Sequence, residues 1–378
     1  MRFIHLSDLH LGKRVKDFSM LEDQRFILSQ ILDIIDDQKA DAVIIAGDVY
    51  DKPIPPAEAV ELFDDFLFSL SERSLKVFII SGNHDSAERI AFGARLMDKS
   101  GIHLSPVYDG NVRPIELEDE FGTLCVYMLP FIKPIHVRHA FPEAEISNLN
   151  EAVSLAIEKM ELDTSLRNIL ITHQFVSGAE SCESEVSVGG TDSLDHAVLD
   201  AFDYVALGHL HGPQSVGRES VRYCGTPLKY SFSESAHQKS VTVLDMNEKG
   251  NISISTVALK PLRDMLKLRG SFEELLSREY YESLDCREAY LQITLSDEEE
   301  LPAALSCLRL IYPNIMKLEY DNIRSREIRM IEGLDDAEQK SPLEIFSELY
   351  ELQNNRPMSD TQLAYMSGII EELEKEAN

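Results

Sequence analysis

Eight aspartate, asparagine and histidine side chains occur in five short motifs whose spacing suits the binding of metal ions. They are Asp8, His10, Asp48, Asn83, His84, His173, His209 and His211. In an Asp-x-His or His-x-His segment the outer two side chains lie on the same side of an extended chain. Carboxylate, imidazole and amide oxygen together suit Mn, Fe or Zn better than Ca. Because one carboxylate can bridge two ions about 3.5–4 Å apart, the set predicts a two-metal hydrolytic centre.

Each motif alone has an ordinary structural explanation. Gly-Asp is typical of a turn, Gly-Asn-His-Asp could be a plain loop, and His-x-His could be a strand with one buried histidine. The set as a whole favours a functional site, because each motif falls at the end of an apolar run. Glycine also precedes Asp48, Asn83 and His209, where it permits tight turns and close approach of the backbone.

The apolar runs before the motifs have the length and composition of buried strands. They are FIHLSD, AVIIAGD, KVFIISGNHD, NILITHQF and FDYVALGHLH. Apolar residues at helical spacing predict helices over 20–38, 56–71 and 149–160. Strands that alternate with helices of this length predict an α/β fold, in which ligands gather at the carboxyl ends of the strands. The segments SVRYCGTPL, SVTVLDM and NISISTVAL follow as further strands.

The pattern changes near Lys260-Pro261. Beyond it, MLKLRGSF, YLQITLS and IMKLEYD alternate with predicted helices at 272–279 and 301–311, which indicates a small α/β unit. The last 38 residues predict two helices. Capping boxes begin at Ser341 and at Ser359. We therefore expect three parts, namely residues 1–260, 261–333 and 334–378.

Composition and charge limit the function. The chain has 378 residues, with 44% hydrophobic and 27% charged residues, and no apolar run is long enough for a membrane helix. The first residues do not resemble a signal peptide, and five cysteines without a CxxC pair favour a reducing cytoplasm. No P-loop motif is present, so we expect no nucleotide bound by this chain.

The net charge of −30 bears on the substrate. A protein that binds DNA unaided usually carries a basic face, because neutralisation of phosphates drives that binding. Either the substrate is not nucleic acid, or local basic residues, bound metals and a partner supply the attraction.

The motif set resembles the calcineurin-like metallophosphoesterase superfamily. The longer segments GDVYDKP, SGNHDS, YVALGHLH and RYCGTPLKYSFSE are similar to its SbcD branch, the nuclease subunits of bacterial SbcCD complexes. The resemblance covers nearly the whole chain. It implies a metallophosphoesterase β-sandwich flanked by helices, with a small α/β capping domain and C-terminal helices.

The resemblance also implies roles for individual residues. One Mn²⁺ would be held by Asp8, His10, Asp48 and His211. A second Mn²⁺ would be held by Asn83, His173, His209 and the shared Asp48. His84 would be no ligand but would face the phosphate as a proton donor during in-line hydrolysis, and Asp85 would orient its ring. Tentative substrate contacts are Lys13, Arg14, Lys52, Arg222, Lys229 and Tyr230, for which a solvated loop or a packing role is the alternative.

The activities implied are ATP-dependent double-strand exonuclease action with an SbcC-type coiled-coil ATPase, single-strand endonuclease action and hairpin cleavage, in DNA repair, recombination and replication. The C-terminal helices would dock on the ATPase, and a homodimer within a heterotetramer is expected. Two alternatives remain. The same fold could act on a non-DNA phosphodiester or a phosphoprotein, which the acidic surface favours, or the chain could be a non-catalytic scaffold, which the complete ligand set disfavours.

Overall fold

Two six-stranded β-sheets face each other and form the larger part of the protein. The computed structural model describes residues 1–182, 185, 193–284, 287–299 and 301–321, and from the C-terminal region residues 347, 350, 358–359, 362–363 and 365–366. The first sheet has the order β14 (Ile252–Ala258), β13 (Ser240–Met246), β1 (Arg2–Leu6), β4 (Ala42–Ala46), β5 (Lys76–Ile80) and β6 (Ile102–Leu104). Strands β1, β4, β5 and β6 are parallel, and β13 and β14 continue the sheet in antiparallel pairing.

The second sheet has a similar plan. Its order is β11 (Gln214–Val216), β12 (Arg218–Tyr223), β10 (Tyr204–Gly208), β9 (Arg167–His173), β8 (Gly122–Leu129) and β7 (Ile115–Asp119). The four central strands are parallel, and the two edge strands are antiparallel to their neighbours. A short hairpin, β2 (Arg14–Val15) and β3 (Phe18–Ser19), follows the first motif.

Helices cover the outer faces of the sandwich. They are α1 (Leu21–Gln38), α2 (Ala57–Glu72), α3 (Ala87–Ile90), α4 (Ala94–Met97), α5 (Pro134–Ala140) and α6 (Leu149–Glu158). The apolar faces of α1 and α2 pack on the first sheet, and α6 packs on the second. A third apolar layer lies between the sheets. Because both faces of the central strands are covered, they are apolar throughout rather than alternating.

A small unit of three parallel strands follows, consisting of β15 (Met265–Gly270), β16 (Tyr290–Leu295) and β17 (Ile315–Tyr320) with its own core. Its helices are α7 (Phe272–Leu276), α8 (Arg278–Ser283) and α9 (Ala304–Leu308). The buried Asp23 carboxylate at the start of α1 accepts hydrogen bonds from Arg263 at 2.9 Å and from the Tyr290 hydroxyl at 2.7 Å. These bonds tie the small unit to the helix that follows the first motif.

The expected α/β sandwich is confirmed, and the structure differs in detail. The helix expected over 272–279 is two short helices, because Ser277 has extended backbone and caps α8. The β7–β8 hairpin was not predicted, although β7 alternates apolar with acidic residues and β8 is an apolar run. The capping box at Ser359 is present, with the Ser359 hydroxyl accepting from the Gln362 amide at 3.4 Å. The other capping box, Ser341 to Glu344, lies outside the described residues. No described helix is long and apolar enough to cross a membrane.

Candidate binuclear metal centre

The predicted ligands come together where the carboxyl ends of five parallel strands meet. From the first sheet, Asp8 and His10 follow β1, Asp48 follows β4, and Asn83 and His84 follow β5. From the second sheet, His173 ends β9, and His209 and His211 follow β10. The two sheets thus contribute facing halves of one site.

Several of these residues have strained backbone. The φ angles are 53° at Asp8, 46° at His10, 49° at Asp48 and 105° at His209. Positive φ is uncommon for residues other than glycine and costs about 1–3 kcal/mol where the surroundings impose it. This strain is concentrated at the candidate ligands.

Glycine is required beside the ligands for steric reasons. A Cβ on Gly82 would lie 2.2 Å from the Asp48 carboxylate, and a Cβ on Gly208 would lie 1.9 Å from the carbonyl oxygen of Ala46. These separations are far below van der Waals contact, so no larger residue fits without moving the ligand loops.

One half of the site surrounds the amide oxygen of Asn83. The His173 Nε2 atom and the His209 Nδ1 atom each lie 3.0 Å from this oxygen. The Nδ1–H of His173 donates to the Ala46 carbonyl at 2.8 Å, which directs Nε2 into the site. Asn83 is exposed, so this half is open to solvent.

The other half is more deeply buried. The His10 Nε2 atom lies 3.8 Å from Asp48, and the Asp48 carboxylate also lies 3.4 Å from His173 Nε2. Both ring nitrogens of His10 are buried without a hydrogen-bond partner. A buried nitrogen of this kind costs free energy unless it binds something. A metal ion at Nε2 would satisfy it.

Two clusters of possible ligand atoms share Asp48. One consists of Asp8, Asp48 and His173, and the other of His10, Asp48 and His84. Within each cluster the ligand atoms lie within 4.8 Å of one another. The donor set of imidazoles, carboxylates and an amide oxygen therefore fits two first-row divalent cations with Asp48 between them.

Burial and close charges shift the pKa values of four candidate ligands. Burial raises the pKa of Asp8 to about 6. Burial also opposes ionisation of Asp48, but the neighbouring His173 holds the pKa of Asp48 well below its usual range. Burial opposes a proton on His173 as well, yet Asp48 and Asp8 raise its pKa to about 9. Burial lowers the pKa of His209 to about 3, so His209 offers a neutral ring to a metal.

His84 is the half-buried member of the second cluster. Its Nδ1–H donates to the Asp51 carbonyl at 3.0 Å, and its backbone amide donates to Asp48 at 2.8 Å. The Asp85 carboxylate instead accepts from the backbone amides of Val49, Tyr50 and Gly82. This corrects the expectation that Asp85 orients the His84 ring, since Asp85 ties the two ligand loops together and Asp51 orients the ring. A role for His84 as proton donor rather than ligand remains a prediction.

A buried charge network behind His211 was missed in the sequence. The His211 Nδ1 atom lies 3.1 Å from Oε1 of Glu234, and Lys239 lies 2.6 Å from Oε2 of the same carboxylate. Glu185 adds a second carboxylate that accepts from the His211 backbone amide. Histidine ligands of metals usually donate their other N–H to such a group. The segment SFSE, which ends in Glu234, was noted in the sequence, but the contact between Glu234 and His211 was not predicted.

The first ligand loop has a support of its own. The Gln24 side chain donates to the His10 carbonyl at 2.8 Å and to the Tyr230 hydroxyl at 2.9 Å, and it accepts from the Gly12 amide at 3.0 Å. The Tyr230 hydroxyl donates to the Leu9 carbonyl at 2.6 Å, and the Tyr230 side chain is almost fully buried. Tyr230 therefore supports the loop that carries Asp8 and His10. The expectation that Tyr230 contacts the substrate is wrong, because its side chain is buried.

Three other tentative substrate contacts already have protein partners. Lys13 pairs with Asp51 at 2.7 Å, and Lys229 pairs with Asp264 at 2.8 Å. Arg222 bonds to the hydroxyls of Thr242 and Ser215. Arg14, on β2, and Lys52 are exposed. Substrate contact by these two residues stays a prediction.

Comparison with known proteins agrees with this geometry. The sequence model of the calcineurin-like phosphoesterase family matches residues 1–213. A second family model, SbcD_C (Type 5 capsule protein repressor C-terminal domain), matches residues 261–354. The chain is 31% identical over 323 residues to the SbcD component of the SbcCD nuclease of Staphylococcus epidermidis, covering 84% of this chain and 85% of that protein.

Two solved structures resemble the chain more distantly. A dimetal phosphatase from Danio rerio is 12% identical, with a TM-score of 0.43, and covers 69% of this chain and 98% of its own. The TT1561 protein of Thermus thermophilus is 13% identical, with a TM-score of 0.40, and covers 68% of this chain and 98% of its own.

Proposed function

This chain belongs to the calcineurin-like phosphoesterase family, in its SbcD branch, and is a metal-dependent phosphodiester hydrolase; we propose that it cleaves DNA with two Mn²⁺ ions as the nuclease subunit of a complex with an SbcC-type ATPase. The proposed activities are double-strand exonuclease action that depends on ATP and the partner, single-strand endonuclease action and hairpin cleavage. The observation that carries the proposal is the convergence of two ligand clusters on the shared Asp48.

The residues divide the chemistry between them. Two divalent cations at this site would supply a nucleophile at neutral pH and positive charge for the phosphate oxygens. Asp8, His10, Asp48 and His211 would hold one cation, and Asn83, His173, His209 and Asp48 the other. The exposure of Asn83 supports entry of the phosphate from this side of the site. The Nδ1–H of His84 donates to the Asp51 carbonyl, and Nε2 of His84 would donate a proton to the leaving oxygen.

Partner binding is proposed for the C-terminal region. Residues 341–378 carry two predicted capping boxes and an apolar stripe, typical of helices that bind in a groove. Deletion of 341–378 should abolish co-purification with the ATPase while Mn²⁺-dependent single-strand cleavage persists. Complex formation by the truncated chain would contradict this docking role. We also propose that the chain forms a homodimer within a heterotetramer. The unbridged thiols of Cys125, Cys224 and Cys307 suit the reducing cytoplasm as its location.

A nuclease assay tests the proposal directly. The full chain is incubated with linear duplex DNA and with a single-stranded oligonucleotide, in Mn²⁺ or in excess chelator, with and without the ATPase and ATP. We expect single-strand cleavage by the isolated chain in Mn²⁺ and processive duplex degradation only in the complex. Absence of cleavage of every DNA substrate by the Mn²⁺-loaded complex would refute the proposal.

A second candidate keeps the site and changes the substrate. The net charge of −30 favours a small phosphodiester or a phosphoprotein over DNA. If this alternative is right, the Mn²⁺-loaded chain hydrolyses bis(p-nitrophenyl) phosphate or a phosphopeptide at rates that far exceed its action on any DNA.

A further inference from the structure

One stretch of this acidic chain contains no acidic residue. The protein has 66 aspartates and glutamates among 378 residues, yet residues 121–142 contain none. The second half of the stretch, residues 131–139 (FIKPIHVRH), contains a lysine, an arginine and two histidines. We call residues 131–139 the basic segment. Residues 122–129 form the largely buried strand β8, where acids are excluded by burial, but most of the basic segment is exposed.

The basic segment lies against the open half of the metal centre. The Phe131 amide donates to the carbonyl of Ser81 at 2.9 Å, two residues before Asn83. The side chain of Gln174, which follows His173, donates to the Ile132 carbonyl at 3.1 Å. The Phe131 ring lies 6.3 Å from the His173 ring, centre to centre. The segment is therefore fastened beside both of these ligands.

Two buried side chains anchor the segment, and most of its other side chains are exposed. Ile132 and Val137 are fully buried. Lys133, Arg138 and His139 are exposed. The Lys133 amide donates to the His136 ring at 3.2 Å, which closes the first turn of α5. The exposed cations are thus displayed from a fixed backbone rather than from a loose loop.

Lys133 and Arg138 differ from Lys13 and Lys229, the two paired lysines near the site. Lys13 is neutralised by Asp51, and Lys229 by Asp264. Within the described part of the chain, Lys133 and Arg138 form no ion pair, although Arg138 donates to the Ile146 carbonyl at 2.8 Å. Unpaired charge beside the open half of the site is available to an anionic ligand.

We propose that the basic segment binds the phosphates of the nucleic acid strand next to the phosphate being cleaved. This inference rests on the proposed nuclease function and names where that substrate is held. Phosphate contacts by Lys and Arg position a strand without reading its sequence, and they supply most of non-specific affinity. An exposed segment of basic residues beside the metal centre would let an acidic protein hold DNA there and repel it elsewhere.

The test compares two charge reversals in the full-length chain. Lys133→Glu changes the basic segment. Lys76→Glu makes the same change at an exposed lysine at the amino end of β5, the opposite end of that strand from Asn83. Both are assayed in Mn²⁺ on a single-stranded oligonucleotide over a series of salt concentrations, and on bis(p-nitrophenyl) phosphate, which has no neighbouring phosphates.

We expect Lys133→Glu to raise KM for the oligonucleotide and to leave hydrolysis of the small diester unchanged. The slope of log(kcat/KM) against log salt should become shallower by at least about 0.7, the contribution of one single-strand phosphate contact. Arg138→Gln should act in the same direction by a smaller amount. Lys76→Glu should match the native chain in both assays.

Equal oligonucleotide kinetics for Lys133→Glu and Lys76→Glu would overturn the inference. So would normal DNA cleavage by Lys133→Glu combined with loss of ATPase co-purification, because the segment would then bind the partner protein. A native chain that hydrolyses the diester but no DNA would overturn the proposed function itself, and this inference with it.

Discussion

The Nδ1 atom of His211 lies 3.1 Å from Oε1 of Glu234, and both side chains are almost entirely removed from solvent. A carboxylate can only accept here, so Nδ1 carries the proton and Nε2 is the ring nitrogen that would bind a metal. Lys239 on the other oxygen keeps the carboxylate charged and fixed. The pair thus sets both the tautomer and the direction of a candidate metal ligand without touching the metal.

Substitution of Glu234 should therefore weaken one metal position. Loss of such an outer partner typically costs about 10–100-fold in metal affinity. We expect Glu234→Gln to retain one tightly bound Mn²⁺ and to lose the second at limiting metal, as measured by calorimetric titration and by metal content after dialysis. Glu219→Gln, at an exposed position on β12, is the matched control. Two tightly bound ions in Glu234→Gln would contradict this role.

His84→Ala should separate chemistry from metal binding. If His84 serves the leaving oxygen, its loss should lower kcat by about 10²–10⁴-fold while both ions remain bound. Because His84 also offers a nitrogen within 4.8 Å of the ligand atoms of His10 and Asp48, loss of a bound ion in His84→Ala would instead make it a ligand. Metal content and kcat measured on the same sample distinguish the two.

Gln24→Ala should destabilise the first ligand loop. The substitution leaves the Gly12 amide and the His10 carbonyl without their side-chain partner, which costs about 1–3 kcal/mol for each group that stays buried. We expect a lower free energy of unfolding in urea and weaker Mn²⁺ binding. Gln30→Ala removes a more exposed amide of the same helix, one that bonds to the Lys260 backbone rather than to the ligand loop, and should leave Mn²⁺ binding unchanged. An unchanged Mn²⁺ affinity in Gln24→Ala would show that Gln24 only packs.

The Asp119–Arg167 pair should make stability depend on pH. The Arg167 guanidinium holds the pKa of Asp119 well below its usual range. A lowered folded-state pKa stabilises the protein above the unfolded carboxyl pKa of about 3.9, and that stability is lost as the pH falls toward the folded value. Breaking a buried pair costs about 3–5 kcal/mol, and Asp119 keeps some exposure, so we expect Asp119→Asn to lose about 3 kcal/mol near neutral pH.

Urea unfolding near pH 7, 5 and 3 checks this expectation. The gap between native and Asp119→Asn proteins should be the same at the two higher values and smaller at the lowest. A gap that widened on acidification would have the wrong sign for a carboxylate stabilised in its charged form.

Much of the fold and the candidate ligand set could be predicted from sequence because the signals are local. Buried parallel strands are apolar without interruption, and each motif follows such a strand directly, so strand and ligand are read together. The β7–β8 hairpin was missed although its alternating edge strand and its apolar inner strand both carry local strand signals. The α7–α8 break was missed because it depends on the extended backbone of a single serine.

The support of the site could not be predicted in the same way. Glu234 reaches His211 across 23 residues, and Tyr230 reaches Leu9 across 221. Whether a lysine forms an ion pair also depends on residues that are distant in the sequence. Lys13 pairs with Asp51, whereas Lys133 is exposed and forms no ion pair within the described part of the chain.

By itself the sequence determined which side chains form the candidate ligand set and in which order, because residue type and strand-to-loop position are written along the chain. Only the tertiary structure decided that Asn83 would meet His173 and His209, 90 and 126 residues away. It also decided that Asp51 rather than Asp85 would orient His84. The physical reason is that two sheets packed face to face bring together the ends of strands that are far apart in the chain.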